Sequence, residues 1–425
     1  MYQPVNVVQV HIWGQLVGAV AADPASGAYV FEYDSRWQQR GIELAPIHMP
    51  LARRLHVFPQ LPALTYKRLP AMLADALPDT FGNALIDAAL AREGVAQSAI
   101  TPLDRLAYVG PRGMGALEFK PARGPRTRKP TAIELADLVT GARAALAGRL
   151  SSDHEAAAAI HNLIQVGISA GGARAKAVIA WNPATQEIRS GQLPADEGFE
   201  YWLLKLDGVG HDLHLGSGQD YGRIEYAYHL MAVDAGIAMT ECRLLEENGR
   251  AHFMTRRFDR DGQRKHHLQS LCAMSHLDYN QRATHDYNQL FLTCQALQLD
   301  STAMQEAYRR MVFNVATANN DDHTKNFGFL LREGGPWQLA PAYDITHAHS
   351  PTSEWTHQHL MSVNGKFRDI ERSDLLLVAD RFKIPGAKRI IEQINDVTAG
   401  WLAYASKAAI SPAEQARVGA DIREL

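Results

Sequence analysis

Cysteine is scarce in this sequence. The chain of 425 residues has three, Cys242, Cys272 and Cys294, too few and too scattered for a disulfide framework or a zinc site. Reduced, buried thiols are the simpler reading, and they favour the cytoplasm. Long apolar runs are missing as well. No stretch approaches the ~20 apolar residues that a membrane span needs, and MYQPVNVVQVHIWG at the N-terminus lacks the basic start and apolar core of a secretory signal. Neither sign of charge dominates: 43 Lys and Arg stand against 46 Asp and Glu, a formal net charge of -3. That balance excludes a global pull towards nucleic acid or an anionic membrane, so any contact with DNA would come through a partner.

What is present is ordinary globular material, with 46% hydrophobic and 21% charged residues, enough for about two or three domains. Residues 6 to 33 alternate apolar and polar positions around Gly14, the pattern of a small antiparallel sheet. Helical patterns follow at 81 to 93 and 103 to 108. KPARGPRTRKP, from Lys120 to Pro130, has no buried-face pattern and reads as a boundary or a long exposed connection. Helical patterns at 132 to 148 and 154 to 165 lead into a glycine cluster, then into the strand-like AVIAW and WLLKL. A helix (223 to 235) and two strands (242 to 246, 251 to 257) come next. Beyond RFDR the pattern is helical at 285 to 298, 302 to 318, 371 to 382, 386 to 404 and 412 to 422. A strand-rich segment joined to a helix-rich one predicts two lobes, and clefts between lobes are common ligand sites.

The strongest chemical signal is NNDDHTKNF at 319 to 327, followed by an apolar strand, a GG turn, WQLAP and AYDIT. Asp321 stands five positions before Asn326, and Asp344 lies beyond the predicted hairpin. Protein kinases use the same order and spacing: a loop Asp that accepts the substrate hydroxyl proton, then an Asn and a second Asp that hold Mg2+ on phosphate oxygens. The letters HRD and DFG are not there. An Asn/Asp-rich stretch is also a good turn, and Asp344 beyond the hairpin is what tips the balance towards chemistry. In the same loop Asp322 reads as structural, whereas His323 and Lys325 stand where nucleotide contact is expected.

Three further features support a phosphate site. SAGGARAK places Ser169 and Ala170 before Gly171, Gly172, Ala173, Arg174, Ala175 and Lys176. Small residues let backbone N–H groups approach phosphate oxygens, although the Walker A pattern is absent and a GG pair alone is usually a tight turn. Lys205 lies in the apolar strand WLLKL, where a charge is costly without a partner. A phosphate or Glu225 can supply one, and a lysine reaching out to solvent from the strand edge is the alternative. Finally, Arg256, Arg257 and Phe258 follow the strand AHFMT. The backbone there can read an adenine edge, or RFDRDG can be a charged turn held by Arg and Asp pairing.

Taken together, VHIWGQLVG, LPDTFGN, VGPRGMGALEF, SAGGARAK, LLKL, RFDR, NNDDHTKNF and AYDIT, in that order, resemble the HipA family of bacterial kinase toxins over nearly the whole chain. The resemblance implies an α+β, two-lobed, protein-kinase-like fold with an extra N-terminal α/β subdomain (1–125), an N-lobe with the phosphate loop (126–258) and a mostly helical C-lobe (259–425). It implies a serine/threonine kinase using ATP and Mg2+, with Asp321 and Lys205 as catalytic residues and Asn326 and Asp344 on the metal. The nucleotide would meet residues 171–176, Lys205, 256–258, 323–326 and Tyr343, Asp344, Ile345 and Thr346. In family members the serine matching Ser169 is a self-phosphorylation site, and an aminoacyl-tRNA synthetase is a known target. Members bind a small helix-turn-helix antitoxin, and that complex binds operator DNA. Many members have Gln where Arg174 stands and an acidic residue at Arg256, departures that bear on the target more than on the chemistry. A vestigial kinase acting as a regulatory subunit, or a small-molecule kinase, would use the same residues.

Overall fold

The computed structural model describes residues 2–124, 133–146, 175–192, 194–207, 209 and 220–425. The predicted helix at 154 to 165, the segment 169–174 and residues 125–130 of the 120 to 130 connection lie outside the described residues. The chain divides into two compact units, one of Met1–Gly210, Thr255–Gln269 and Leu331–Pro336, the other of His211–Met254, Ser270–Leu330 and Trp337–Leu425.

The first unit opens with a four-stranded sheet in the order Tyr29–Tyr33, Gln15–Ala22, Val7–Ile12, Glu118–Lys120. Alternation puts Val8, Val10 and Ile12 on the buried face, as a period of two requires. Trp13 and Gly14 both take positive φ, 49° and 73°, the backbone that lets a two-residue turn match the twist of its strands. Across the sheet, a Cβ at Gly18 would stand 2.1 Å from the Glu32 carbonyl oxygen. Only glycine lets those strands lie so close.

A second group of strands in this unit pairs Lys176–Trp181 antiparallel with Ile188–Ser190 and with Glu200–Lys205. Every residue of Lys176–Trp181 is buried, so this strand reads as a continuous apolar run instead of an alternating one. RFDR turns out to be held by pairing. Arg257 Nε and Nη2 donate to the two Asp259 carboxylate oxygens at 2.9 and 2.6 Å, and the Gly115 N–H donates to the same group at 2.7 Å. Burial alone would raise the Asp259 pKa. The Arg257 charge and hydrogen bonds, the Arg260 charge and the Gly115 N–H outweigh it and hold the carboxyl at about 2.

The second unit is mainly helical. Its central helix, Ser301–Ala316, starts where Asp300 accepts from the Ala303 N–H at 2.9 Å, an N-cap that satisfies one orphan donor. Met304, Ala307, Tyr308, Met311 and Val315 bury its apolar stripe, the i, i+3, i+4 spacing of a core-facing helix. Helices Tyr287–Ala296, Arg372–Phe382 and Ala387–Ala399 also belong to this unit, and Phe291 stacks on Phe382 at 4.8 Å. The pattern predicted from 386 to 404 is two helices, Ala387–Ala399 and Trp401–Lys407, divided at Gly400, because glycine lowers the cost of leaving helical backbone. No helix among the described residues is long and apolar enough to cross a membrane.

His267 is fully enclosed in the first unit, and burial pushes its imidazole down to about 4 against a bond to the Leu44 carbonyl that pulls the other way. The unfolded chain takes up this proton first, since its histidine keeps the ordinary value of 6.5. The contribution is therefore intact above pH 6.5 and fades as pH falls towards 4, by roughly 3 kcal/mol from this group. Thermal melts from pH 7 to 4 should show a falling Tm for the wild type and a shallower fall for His267→Gln, whose amide can still donate to Leu44. Equal slopes would contradict the assignment.

Candidate active site

The loop 319–326 lies in the second unit, immediately after the helix Ser301–Ala316, and a buried carboxylate organises it. Asp322 accepts from the Tyr287 hydroxyl at 2.8 Å, from His359 Nδ1 at 2.9 Å and from the Leu360 and Met361 N–H groups at 2.7 and 3.3 Å. Behind it, Asn319 Nδ2 donates to Asn314 Oδ1 at 2.9 Å, and Asn314 Nδ2 donates to the Tyr287 oxygen at 3.0 Å. Burial, and next to it the Asp322 charge, push the Tyr287 phenol well above its ordinary value, so it remains a donor. Asp322 is structural, as its sequence context suggested.

With Asp322 turned inward, its neighbour Asp321 turns outward, and its side chain is 40% exposed. Asn326 Nδ2 donates to the Asp321 carbonyl at 2.7 Å. That bond fixes the amide and leaves its oxygen, the atom a hard cation would take, uncommitted to the loop. His323 accepts the Lys325 N–H on Nδ1 at 3.2 Å, and its Nε2 lies 3.8 Å from Asp321 Oδ1. The imidazole thus braces the loop and faces the carboxylate. Lys325 Nζ sits over the Tyr279 ring at 5.1 Å, and Thr324 Oγ1 donates to the Leu277 carbonyl at 2.8 Å.

The strands Gly328–Leu331 and Trp337–Leu339 form the predicted hairpin, and the chain leaves it through an Ala340 N–H bonded to the Gly328 carbonyl at 2.8 Å. Arg310 Nη2 donates to the Ala340 carbonyl at 2.9 Å, and the Ala342 N–H donates to the Ala238 carbonyl at 2.8 Å. The Tyr343 hydroxyl donates to the Lys325 carbonyl at 2.8 Å, which ties this exit to the first loop. Asp344 follows with φ 53°. That left-handed conformation costs a non-glycine residue about 1 kcal/mol or more, and such strain concentrates at functional sites. Ile345 is buried beside it, and Thr346 is half-buried.

Asn326 and Asp344 share a small pocket with Arg310, Asn314, Asn319, Asp322, Phe327, Ala342, Tyr343 and Ile345. The Asn319 Oδ1 atom is buried on that wall with no hydrogen-bond partner. An amide oxygen, a carboxylate and a second, orphaned amide oxygen suit a hard, oxygen-seeking cation such as Mg2+, which would complete its shell with phosphate and water. Among the described residues there is no cluster of three or more His, Cys, Asp or Glu side chains able to hold a metal on their own. The sequence reading missed Arg310, Asn314 and Asn319. Asn319 was visible in NNDD, but Arg310 and Asn314 carry no signal beyond polar residues on the buried side of a helix.

The remaining candidates belong to the first unit. Lys176 and Lys205 face each other directly across their strand pair, 4% and 6% exposed. Ala175 precedes them, fully buried. Arg256 is exposed and 3.5 Å from Glu200, Arg257 is committed to Asp259, and the Arg257 N–H donates to the Tyr201 carbonyl at 2.9 Å. Any nucleotide contact from 256–258 thus falls to Arg256, Phe258 or the backbone. Glu225 is buried in the helix Tyr221–Asp234 of the second unit. Ser169, Gly171, Gly172, Ala173 and Arg174 lie outside the described residues.

A loop carboxylate and amide, a hairpin and a second carboxylate in strained backbone define a kinase-like α+β protein, here with a separate N-terminal sheet. Family models agree: HipA-like C-terminal domain matches residues 168–401, and HipA N-terminal domain matches 8–120. The chain belongs to the HipA family, the kinase-like toxins of toxin–antitoxin systems. Its structure is similar to that of HipA from the Shewanella oneidensis MR-1 toxin–antitoxin system, solved with HipB and operator DNA. That likeness has a TM-score of 0.68 at 17% identity, over 98% of this chain and 95% of that one. The Helicobacter pylori proinflammatory kinase CtkA is matched at a TM-score of 0.36 and 13% identity, over 52% of this chain and 85% of that one, too low to carry weight. No curated protein matches the chain in sequence.

The two neighbouring aspartates should separate in an unfolding experiment. Asp322→Ala leaves several buried donors without an acceptor and should cost roughly 3 kcal/mol or more. Asp321→Ala, at a half-exposed position, should stay within about 0.5 kcal/mol of the wild type. Urea unfolding of both variants measures the difference, and equal losses would refute the division of labour.

Proposed function

We propose that this protein is an ATP- and Mg2+-dependent serine/threonine protein kinase that acts as the toxin of a toxin–antitoxin module. The observation that carries the reading is the bond from Asn326 Nδ2 to the Asp321 carbonyl. It sets a metal-binding amide and a half-exposed carboxylate on one short loop, with Asp344 in the adjoining pocket. In this reading Asp321 accepts the proton from a substrate serine or threonine hydroxyl as that oxygen attacks the γ-phosphoryl group, and ADP leaves with the electron pair of the broken bond between the γ-phosphorus and its bridging oxygen. His323, 3.8 Å away, orients the carboxylate. Asn326 and Asp344 hold Mg2+, whose charge, when bound, neutralises that developing on the phosphate oxygens. Lys176 and Lys205 take phosphate oxygens, and residues 171–174 add backbone N–H donors. Residues 256–258, 323–326 and 343–346 complete the nucleotide site.

The domain boundaries proposed are 1–125, 126–258 and 259–425. The family supports a helix-turn-helix antitoxin of the HipB kind as partner, operator DNA reached through that complex, and a translation component such as an aminoacyl-tRNA synthetase as target. A regulatory subunit with vestigial catalysis is the competing reading. The presence of Asp321, Asn326, Asp344 and Lys205 together in the sequence favours the enzyme.

Asp321→Ala and Asp344→Ala should each reduce Mg2+-dependent phosphoryl transfer from ATP to lysate protein by about 10³-fold or more, and Asp321→Ala should retain the wild-type melting temperature. Phosphosite mapping after incubation with ATP checks this. A folded variant with near-normal transfer would overturn the assignment.

Ser169 precedes the glycine pair, and a phosphate there would add about -1.5 to -2 charge beside those of ATP. Mass spectrometry should find phosphate on Ser169 after incubation with ATP, and the separated phosphoform should bind nucleotide more weakly. Stoichiometric phosphate with unchanged affinity would remove the autoinhibition argument.

A further inference from the structure

The residues around Asp344 need an external hold. Asp344 sits in left-handed backbone (φ 53°), and a non-glycine residue keeps such a conformation only where its surroundings over-determine it. Upstream the hold is visible in the Ala342 and Tyr343 bonds described above. Downstream it comes from the last helix and the residues after it.

Asp421 follows the helix Pro412–Gly419. Its Oδ2 accepts from His347 Nε2 at 2.8 Å, and its Oδ1 lies 3.1 Å from His349 Nδ1. His347 and His349 are the third and fifth residues after Asp344. Arg417, on the same helix, approaches the other ring nitrogen of His347, Nη1 to Nδ1 at 3.4 Å. Two residues past Asp421, the Arg423 N–H donates to the Ala316 carbonyl at 3.0 Å and its Nε to the Val315 carbonyl at 3.4 Å. Those carbonyls end the helix Ser301–Ala316, and the loop bearing Asp321 and Asn326 starts three residues further on. Between the two attachments, the Ala348 N–H donates to the Ala318 carbonyl at 3.2 Å. The stretch 421–423 thus grips both segments that carry the proposed metal ligands, one through a carboxylate and the other through N–H groups at a helix end.

We propose that residues 421–423 form a positioning staple, in which Asp421 holds the segment after Asp344 and Arg423 holds the helix end before Asp321, so that the C-terminal segment sets the metal affinity of the site. Neither residue touches the reacting atoms. Each acts by fixing the spacing of Asn326 and Asp344, to which cation binding and in-line transfer are sensitive at the level of an ångström. The inference rests on the reading of Asn326 and Asp344 as Mg2+ ligands.

Two measurements on the full chain test it, with Asp421→Ala and the milder Asp421→Asn, whose amide oxygen can still accept from His347. Amide hydrogen exchange without nucleotide should quicken in 344–349 and 316–326 of Asp421→Ala while the core helix Ala387–Ala399 keeps wild-type protection. In the transfer assay, the Mg2+ concentration for half-maximal rate should rise about tenfold for Asp421→Ala and less for Asp421→Asn, with the KM for the protein substrate unchanged. Unaltered exchange in both segments overturns the proposal whether or not the wild type transfers phosphate. Exchange that rises equally in Ala387–Ala399 marks Asp421 as a general stabiliser and overturns it too. A wild type with no Mg2+-dependent transfer removes the kinase reading instead, and the exchange data then decide the staple alone.

Discussion

One buried carboxylate sets the geometry of the candidate site. Asp322 is withdrawn from water and surrounded by a phenol, an imidazole and two backbone N–H groups. A charge in that position is tolerable only because its oxygens are satisfied from several directions. Those partners come from residues 35 to 39 positions away along the chain, which closes the loop 319–326 against the rest of its unit. Asp321 is exposed because its neighbour cannot be. The Asn326 amide is fixed by the carbonyl of Asp321, the residue next to the one held in place. Asn319 and Asn314 then extend the same network into the pocket wall.

Strain and restraint go together in the second loop. Asp344 occupies left-handed backbone, and bonds on either side keep it there, from Ala342 and Tyr343 before it to Ala348, His347 and His349 after it. If Asn326 and Asp344 are the metal ligands proposed above, the site is pre-organised: folding holds their oxygens at a fixed spacing, so that little rearrangement would accompany cation binding.

The first unit solves a different electrostatic problem. Arg257 and Asp259 neutralise each other in a fully enclosed bidentate pair that also anchors the Gly115 N–H, so these two side chains of RFDR serve the fold. Lys176 and Lys205, both buried, stand in register on adjacent strands of the same unit.

Much of this is legible in the order of the residues alone. Alternation in residues 6 to 33 predicts the N-terminal sheet, and the helical pattern at 302 to 318 predicts the helix that delivers the loop. The spacing of Asp321, Asn326 and Asp344 around a hairpin points to the chemistry. These are local properties, written in side-chain periodicity and turn residues within a few positions of one another. The sequence also identifies Asp322 as structural, though not what satisfies it, because Tyr287 and His359 lie far away along the chain. Arg310 and Asn314 are illegible for the same reason: a polar residue on the inner face of a helix declares its role only when its partner is known. So are the positive φ of Asp344, the opposition of Lys176 to Lys205, and the hold of Asp421 on His347 and His349. Sequence determined which residues could do chemistry and on which elements they stand. Tertiary structure decided which of two adjacent aspartates faces water, since that depends on where distant hydrogen-bond donors converge, and no local pattern encodes it.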